Sequence, residues 1–95
     1  MRRASRTDRN QPEIVAALEA IGASVAITSA VGKGFPDLVV GFRMRTWLLE
    51  LKDGTLPPSR RTLTPDQIEF KARWRGHWAV VKSADEAIEV VTRGA

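Results

Sequence analysis

Cysteine is absent from this 95-residue chain, and histidine occurs once. Neither a disulfide framework nor a thiolate or histidine-cluster metal site can be built from such a composition, so any metal the chain binds must be held by oxygen. Long apolar runs are missing too. Every hydrophobic stretch falls well short of the roughly 20 residues a membrane-spanning helix needs, and the amino terminus is polar and arginine-rich where a secretory leader would be apolar. A cytoplasmic protein with no membrane partner is expected. No low-complexity segment or internal repeat is visible, and 43% hydrophobic with 27% charged residues is the composition of a folded domain. The length allows one packed core and therefore one site per copy.

What the chain has in excess is positive charge. Its net charge is +4, and eleven of its fifteen basic residues are arginine, whose planar guanidinium matches phosphate oxygens two at a time. A polyanionic partner is the expectation. Four of these arginines, Arg2, Arg3, Arg6 and Arg9, lie in residues 1–9, which lack apolar periodicity and read as a flexible basic arm ahead of a domain over residues 10–95.

Within that domain, Asn10 or Gln11 followed by Pro12 opens a first helix, with Ile14, Leu18 and Ile21 at helical spacing and Gly22 as its stop. Strands are expected over residues 24–29 and 37–42, then 45–52 across a two-residue turn at Arg43 and Met44. A proline-containing loop carrying Arg60 and Arg61 follows. Thr64 with Gln67, and Ser83 with Glu86, have the spacing of capping boxes and predict helices from about 65 to 75 and from 84 onward. Residues 77–82 form a strand between them. The order α-β-β-β-α-β-α describes an α/β fold with a mixed sheet flanked by helices.

The hairpin is the most informative element. Folding the chain about Arg43 and Met44 pairs residues whose numbers sum to 87, which sets Asp37 opposite Glu50. Cross-strand neighbours lie about 4.5–5.5 Å apart at Cβ, and like charges so placed repel. A divalent cation relieves the repulsion, and Mg²⁺ suits a site of one or two carboxylates completed by water and phosphate. The two-residue strand period puts Lys52 on the face of Glu50, while Leu51 turns away and leaves its carbonyl near the site. A lysine there can orient an attacking water or stabilise charge developing on a phosphate. Glu-x-Lys on a strand is also a common solvated face, and Asp after Pro a common strand start. Leu48, Leu49 and Leu51 make this strand apolar on both faces, however, and charges in such a setting need a compensating role.

The segments Gly34-Phe35-Pro36-Asp37-Leu38, Leu49-Glu50-Leu51-Lys52, Leu63-Thr64-Pro65-Asp66-Gln67 and Val80-Val81-Lys82-Ser83 leading to Glu86 and Ala87 resemble the VRR-NUC family, the virus-type replication-repair nucleases of the PD-(D/E)xK superfamily. The resemblance spans residues 10–92. It implies a restriction-endonuclease-like fold and a metal-dependent DNA nuclease using Mg²⁺ or Mn²⁺, in a viral (phage) or bacterial host cytosol. It further implies a homodimer related to Holliday junction resolvases, hence cutting of branched DNA. Asp37, Glu50 and Lys52 are then catalytic, with Asp37, Glu50, the Leu51 carbonyl and, from the first helix, Glu13 around the metal.

Glu13 in a first helical turn is also explained by the helix dipole, and Gln67 by its capping box as well as by the family's glutamine. With Lys33, Arg60 and Arg61, Gln67 completes the residues expected to meet DNA. His77 has no second histidine or cysteine with which to share a metal and reads as a surface residue. Trp47, Trp74 and Trp78 are expected in the core or at an interface. The competing reading is a structure-selective DNA-binding subunit with the nuclease fold but little activity alone. An intact, mutually repulsive carboxylate pair argues against it.

Overall fold

The computed structural model describes residues 9–93. The basic arm expected over residues 1–9 therefore lies, apart from Arg9, outside the described residues. Helix α1 (Gln11–Ala20) leads to strands β1 (Ser24–Ile27), β2 (Leu38–Phe42) and β3 (Arg45–Leu51). A short 3-10 turn over Pro58–Arg60 precedes α2 (Pro65–Arg73), β4 (His77–Val81) and α3 (Ala84–Thr92). The element order is the expected one. Neighbours in the four-stranded sheet run β1-β2-β3-β4, with the first two pairings antiparallel and β3-β4 parallel.

Residue alternation explains why two layers form. Leu38 and Val40 of β2, Trp47, Leu49 and Leu51 of β3, and Val81 of β4 all turn to one face, as the two-residue period requires. There they meet Ile14 and Leu18 of α1 and Ala87, Val90 and Val91 of α3. Each fully buried Leu, Ile or Val in this core contributes about 1.5–3 kcal/mol relative to exposure. On α1 the inward stripe is Gln11, Ile14 and Leu18, at i, i+3 and i+7. Gly22, at φ 94°, ends that helix as its glycine signalled.

The opposite face of the sheet carries Leu48, Glu50, Trp78 and Val80, and α2 approaches it. Gln67 reaches Glu50, and the Lys71 ammonium sits 5.1 Å from the centre of the Trp78 ring. No residue of α2 is fully buried. Its anchor is aromatic: the Phe70 ring meets Phe35 edge-on at 5.3 Å and stacks with Trp74 at 5.5 Å. Close approach of the 29–37 loop to this helix depends on Gly34. It has φ 81°, and a Cβ there would run into the Asp66 carbonyl and come within 2.9 Å of the Gln67 amide.

Several boundaries differ from the sequence expectation for identifiable reasons. Helix α2 stops at Arg73 because Trp74 turns extended, its indole N–H donating to the His77 carbonyl at 3.2 Å. At α3 the Ser83 hydroxyl accepts from the Glu86 amide as expected, but Glu86 does not close a capping box. Its carboxylate takes the Lys82 amide at 2.8 Å and pairs with the Lys82 ammonium at 3.3 Å. Asn10 makes no side-chain cap; its amide nitrogen donates to the carbonyls of Lys52 and Lys82, tying the ends of the parallel strands together.

The β2-β3 turn is a two-residue one in which both Arg43 (φ 52°) and Met44 (φ 67°) are left-handed. Asparagine and glycine dominate such turns, and a side chain like arginine or methionine is held there at a cost of about 1–2 kcal/mol each.

Candidate active site

The β2-β3 register holds the sum of 87 from Phe42↔Arg45 to Leu38↔Leu49. One residue further on, Asp37 leaves the ladder. Its amide donates to the Leu49 carbonyl at 3.0 Å, and its carboxylate accepts the Leu51 amide at 2.8 Å. Thus the side chain of Asp37 replaces the backbone acceptor that a continuing strand would have offered, which fixes the carboxylate beside Glu50 and Leu51. Lys52 likewise falls just past β3, where its amide donates to the Val81 carbonyl.

Asp37, Glu50, Leu51, Lys52 and Gln67 line one cleft of about 370 Å³. Glu50 is only 2% exposed. Around it lies a relay centred on Gln67, whose amide nitrogen donates to Glu50 Oε2 at 2.8 Å. Gln67 Oε1 accepts from the Lys52 ammonium at 3.0 Å and from the Thr64 amide at 2.9 Å. Lys52 Nζ is 3.9 Å from the same Glu50 oxygen. The capping box of α2 is complete as the sequence predicts, and the amide that caps the helix also spaces Lys52 from Glu50.

Three acidic residues line this cleft, Asp37, the nearly fully buried Glu50 and Asp66, beside a single lysine. Among the described residues no group of three or more His, Cys, Asp or Glu side chains is arranged to hold a metal. The donor set that remains, Asp37 and Glu50 with the Leu51 carbonyl nearby, is all oxygen and small in number. It fits Mg²⁺ or Mn²⁺, hard ions that keep several waters and take substrate phosphate oxygens as further ligands.

Other candidates fall elsewhere. Glu13 is exposed and is not among the residues that line the cleft; the inward stripe of α1 passes through Gln11 and Ile14. Lys33, in the left-handed region at φ 57°, is exposed between the cleft-lining glycines Gly32 and Gly34. Arg60 is exposed, whereas Arg61 folds back so that its Nε donates to the Leu56 carbonyl at 2.7 Å. None of these three lines the cleft. Nearby, Thr55 donates its hydroxyl and its amide to Asp53, which holds that carboxyl below its ordinary range. His77 is exposed and stacks on Trp47 at 4.1 Å.

Ser29 and Asp66 also line the cleft and were not anticipated. Asp66 had a signal, since it precedes Gln67 in the first turn of α2; Ser29 had none.

No family sequence model matches the chain, and no curated protein matches it. A solved structure described as a VRR_NUC domain does. It superposes with a TM-score of 0.67 and 28% identity, covering 97% of this chain and 100% of that one. The chain is therefore similar to a VRR_NUC domain along nearly its whole length. Like that domain it has a nuclease fold, here with the α-β-β-β-α-β-α order and a four-stranded mixed sheet. No helix among its described residues is long and apolar enough to cross a membrane.

Proposed function

We propose that this nuclease-fold domain is a metal-dependent DNA endonuclease, hydrolysing phosphodiester bonds at the Asp37-Glu50-Lys52 cleft. One observation carries the proposal: Glu50 is buried in a cleft that it shares with the Asp37 carboxylate, a lysine and the amide that positions that lysine. Carboxylates gathered in one cleft repel, and a divalent cation held by oxygen ligands offsets that repulsion.

Asp37 and Glu50, with the Leu51 carbonyl, would hold Mg²⁺ or Mn²⁺, which when bound would supply Lewis-acid polarisation of a phosphoryl oxygen and a water of lowered pKa. Asp37 is kept aimed by the Leu51 amide, and Glu50 by the Gln67 amide. Lys52, held by Gln67 Oε1, presents its ammonium toward the phosphate, where it stabilises the charge that grows as water bonds to phosphorus and the ester oxygen departs. Incubation with linear, flapped and four-way DNA, in Mg²⁺ and in chelator, tests this. Products in Mg²⁺ alone, most abundant from branched DNA, are expected. Retarded DNA without products in any metal would favour the binding-subunit reading.

Lys33, between the cleft-lining Gly32 and Gly34, and Arg60 and Arg61, in the loop after β3, supply phosphate contacts in this proposal. Neutralising Arg60 and Arg61 together is expected to flatten the salt dependence of DNA binding by up to ~2 units of slope while metal affinity is retained. Fluorescence anisotropy across a salt series measures it. A slope equal to the parent's would show that this loop faces away from DNA.

A single cleft cuts one strand at a time, so coordinated cutting of a duplex or junction calls for a symmetric pair. Of the three tryptophans, Trp47 is buried at 7% exposure and belongs to the core, while Trp74, just past the end of α2, is 41% exposed and Ile68 of α2 55%. A homodimer is therefore part of the proposal, with α2 contributing apolar surface to it. Sedimentation at micromolar concentration is expected to give twice the 10.5 kDa chain mass; a strictly monomeric mass with efficient duplex cleavage would defeat the pairing.

A further inference from the structure

At the far end of the β2-β3 hairpin, the turn places Met44 at 102% relative exposure, flanked by Arg43 and Arg45. Three features of this tip call for explanation together. Both turn residues are held left-handed without being glycine or asparagine, a departure from local preference of the sort that collects at ligand-contacting sites. The Arg43 guanidinium is 4.9 Å from the centre of the Phe42 ring, so it is held in place ahead of any binding event. Behind the tip is a shallow cavity of about 430 Å³ whose lining includes Ser24, Gly41, Arg45 and Thr46.

Register connects this cavity to the active site. Ser24 pairs with Gly41 and Gly41 with Thr46, which puts all three in one row across the sheet. Thr46, Leu48 and Glu50 alternate along β3 and so share one face of it. The row lies on the face that carries Glu50, four residues away, a distance of ~13 Å along the strand at about 3.3 Å per residue. Met44, two residues further on, is by the same measure ~20 Å from Glu50, about six base-pair steps of a duplex at ~3.4 Å each.

Resting on the nuclease reading above, we propose that the Arg43-Met44-Arg45 tip is a second DNA contact, a wedge that engages the duplex in its minor groove some five to six base pairs from the scissile bond. Met44 leans between adjacent base pairs and partly unstacks them, as apolar side chains of minor-groove binders do. Arg43 enters the groove, where the potential is most negative. Arg45, with the Ser24 and Thr46 hydroxyls, receives the sugar-phosphate backbone in the cavity.

The test exploits the turn's own preference. Replacing the tip with Asn-Gly, as R43N/M44G, installs the pair this turn geometry favours, so the variant is expected to melt at a higher temperature than the parent. Its affinity for duplex DNA is nevertheless expected to fall by at least ~10-fold, as loss of a central contact would cause. A 2-aminopurine placed five to six base pairs from the expected cut should brighten when the parent binds and stay dark with R43N/M44G. If the parent cuts DNA in Mg²⁺ while the variant matches it in both affinity and fluorescence, the wedge is wrong and the nuclease reading stands. If the parent binds and brightens the probe but cuts nothing under any metal condition, the nuclease reading fails and the wedge stands.

Discussion

Asp37→Asn and Glu50→Gln are each expected to reduce Mg²⁺-supported cleavage by at least ~1,000-fold, corresponding to loss of about 4 kcal/mol of transition-state stabilisation. The amide variants separate chemistry from folding better than alanine does. Asp37 is an acceptor for the Leu51 amide, and alanine there would leave that donor unpaired at a cost of about 1–3 kcal/mol. Relief of carboxylate repulsion, the reason to expect an alanine variant to be as stable as the parent, is opposed by that lost bond. Asparagine keeps an acceptor oxygen for Leu51, and glutamine at position 50 keeps one for the Gln67 amide. Both variants should therefore melt within about 1 kcal/mol of the parent's stability when metal is absent. Single-turnover cleavage with a thermal melt on the same samples checks both halves. Parent-like cutting by either variant would remove that carboxylate from the metal site.

Lys52→Ala is expected to lower turnover by at least ~100-fold while leaving metal affinity nearly unchanged, the pattern of a group that acts on the reacting phosphate or water. The geometry gives a reason for the split. Lys52 Nζ is 3.0 Å from Gln67 Oε1 but 3.9 Å from Glu50, so its main tether is the amide. With Lys52 gone, Gln67 Oε1 still accepts the Thr64 amide and Gln67 still donates to Glu50. The carboxylate stays aimed and α2 stays capped. Turnover measured at saturating Mn²⁺, beside calorimetric titration of the ion, reports the two effects separately. Unchanged turnover would take Lys52 out of the mechanism; a parallel loss of metal affinity would make it a structural partner of Glu50.

Much of this site was legible in the sequence because strand periodicity and hairpin symmetry are strict. Once Arg43 and Met44 are the turn, the pairing of Leu38 with Leu49 and the shared face of Glu50 and Lys52 follow by counting. The same counting misjudged Asp37, which sits one step past the ladder, because a side chain competing with the backbone for the Leu51 amide leaves no trace in residue spacing. Where Glu13 lies relative to the cleft was not legible for a related reason: an acid in a first helical turn is favoured by the helix dipole wherever it points, so its presence carried no directional information. Gln67 was read as a cap or as a DNA contact, and its third role, bridging Lys52 and Glu50, depends on where the 29–37 loop lets α2 rest. That position turns on Gly34, whose missing side chain admits the first turn of α2. Contacts between elements distant in sequence, such as Asn10 with Lys52 and Lys82, were likewise out of reach of local patterns.

The account rests on a divalent ion at the Asp37 and Glu50 carboxylates, and anomalous diffraction from crystals soaked in Mn²⁺ tests that most directly. A peak between those two carboxylates, near the Leu51 carbonyl, is expected in the parent and is expected to be missing from crystals of Asp37→Asn. An empty site at Mn²⁺ concentrations that support cleavage in solution, or a peak bound by other residues, would contradict it.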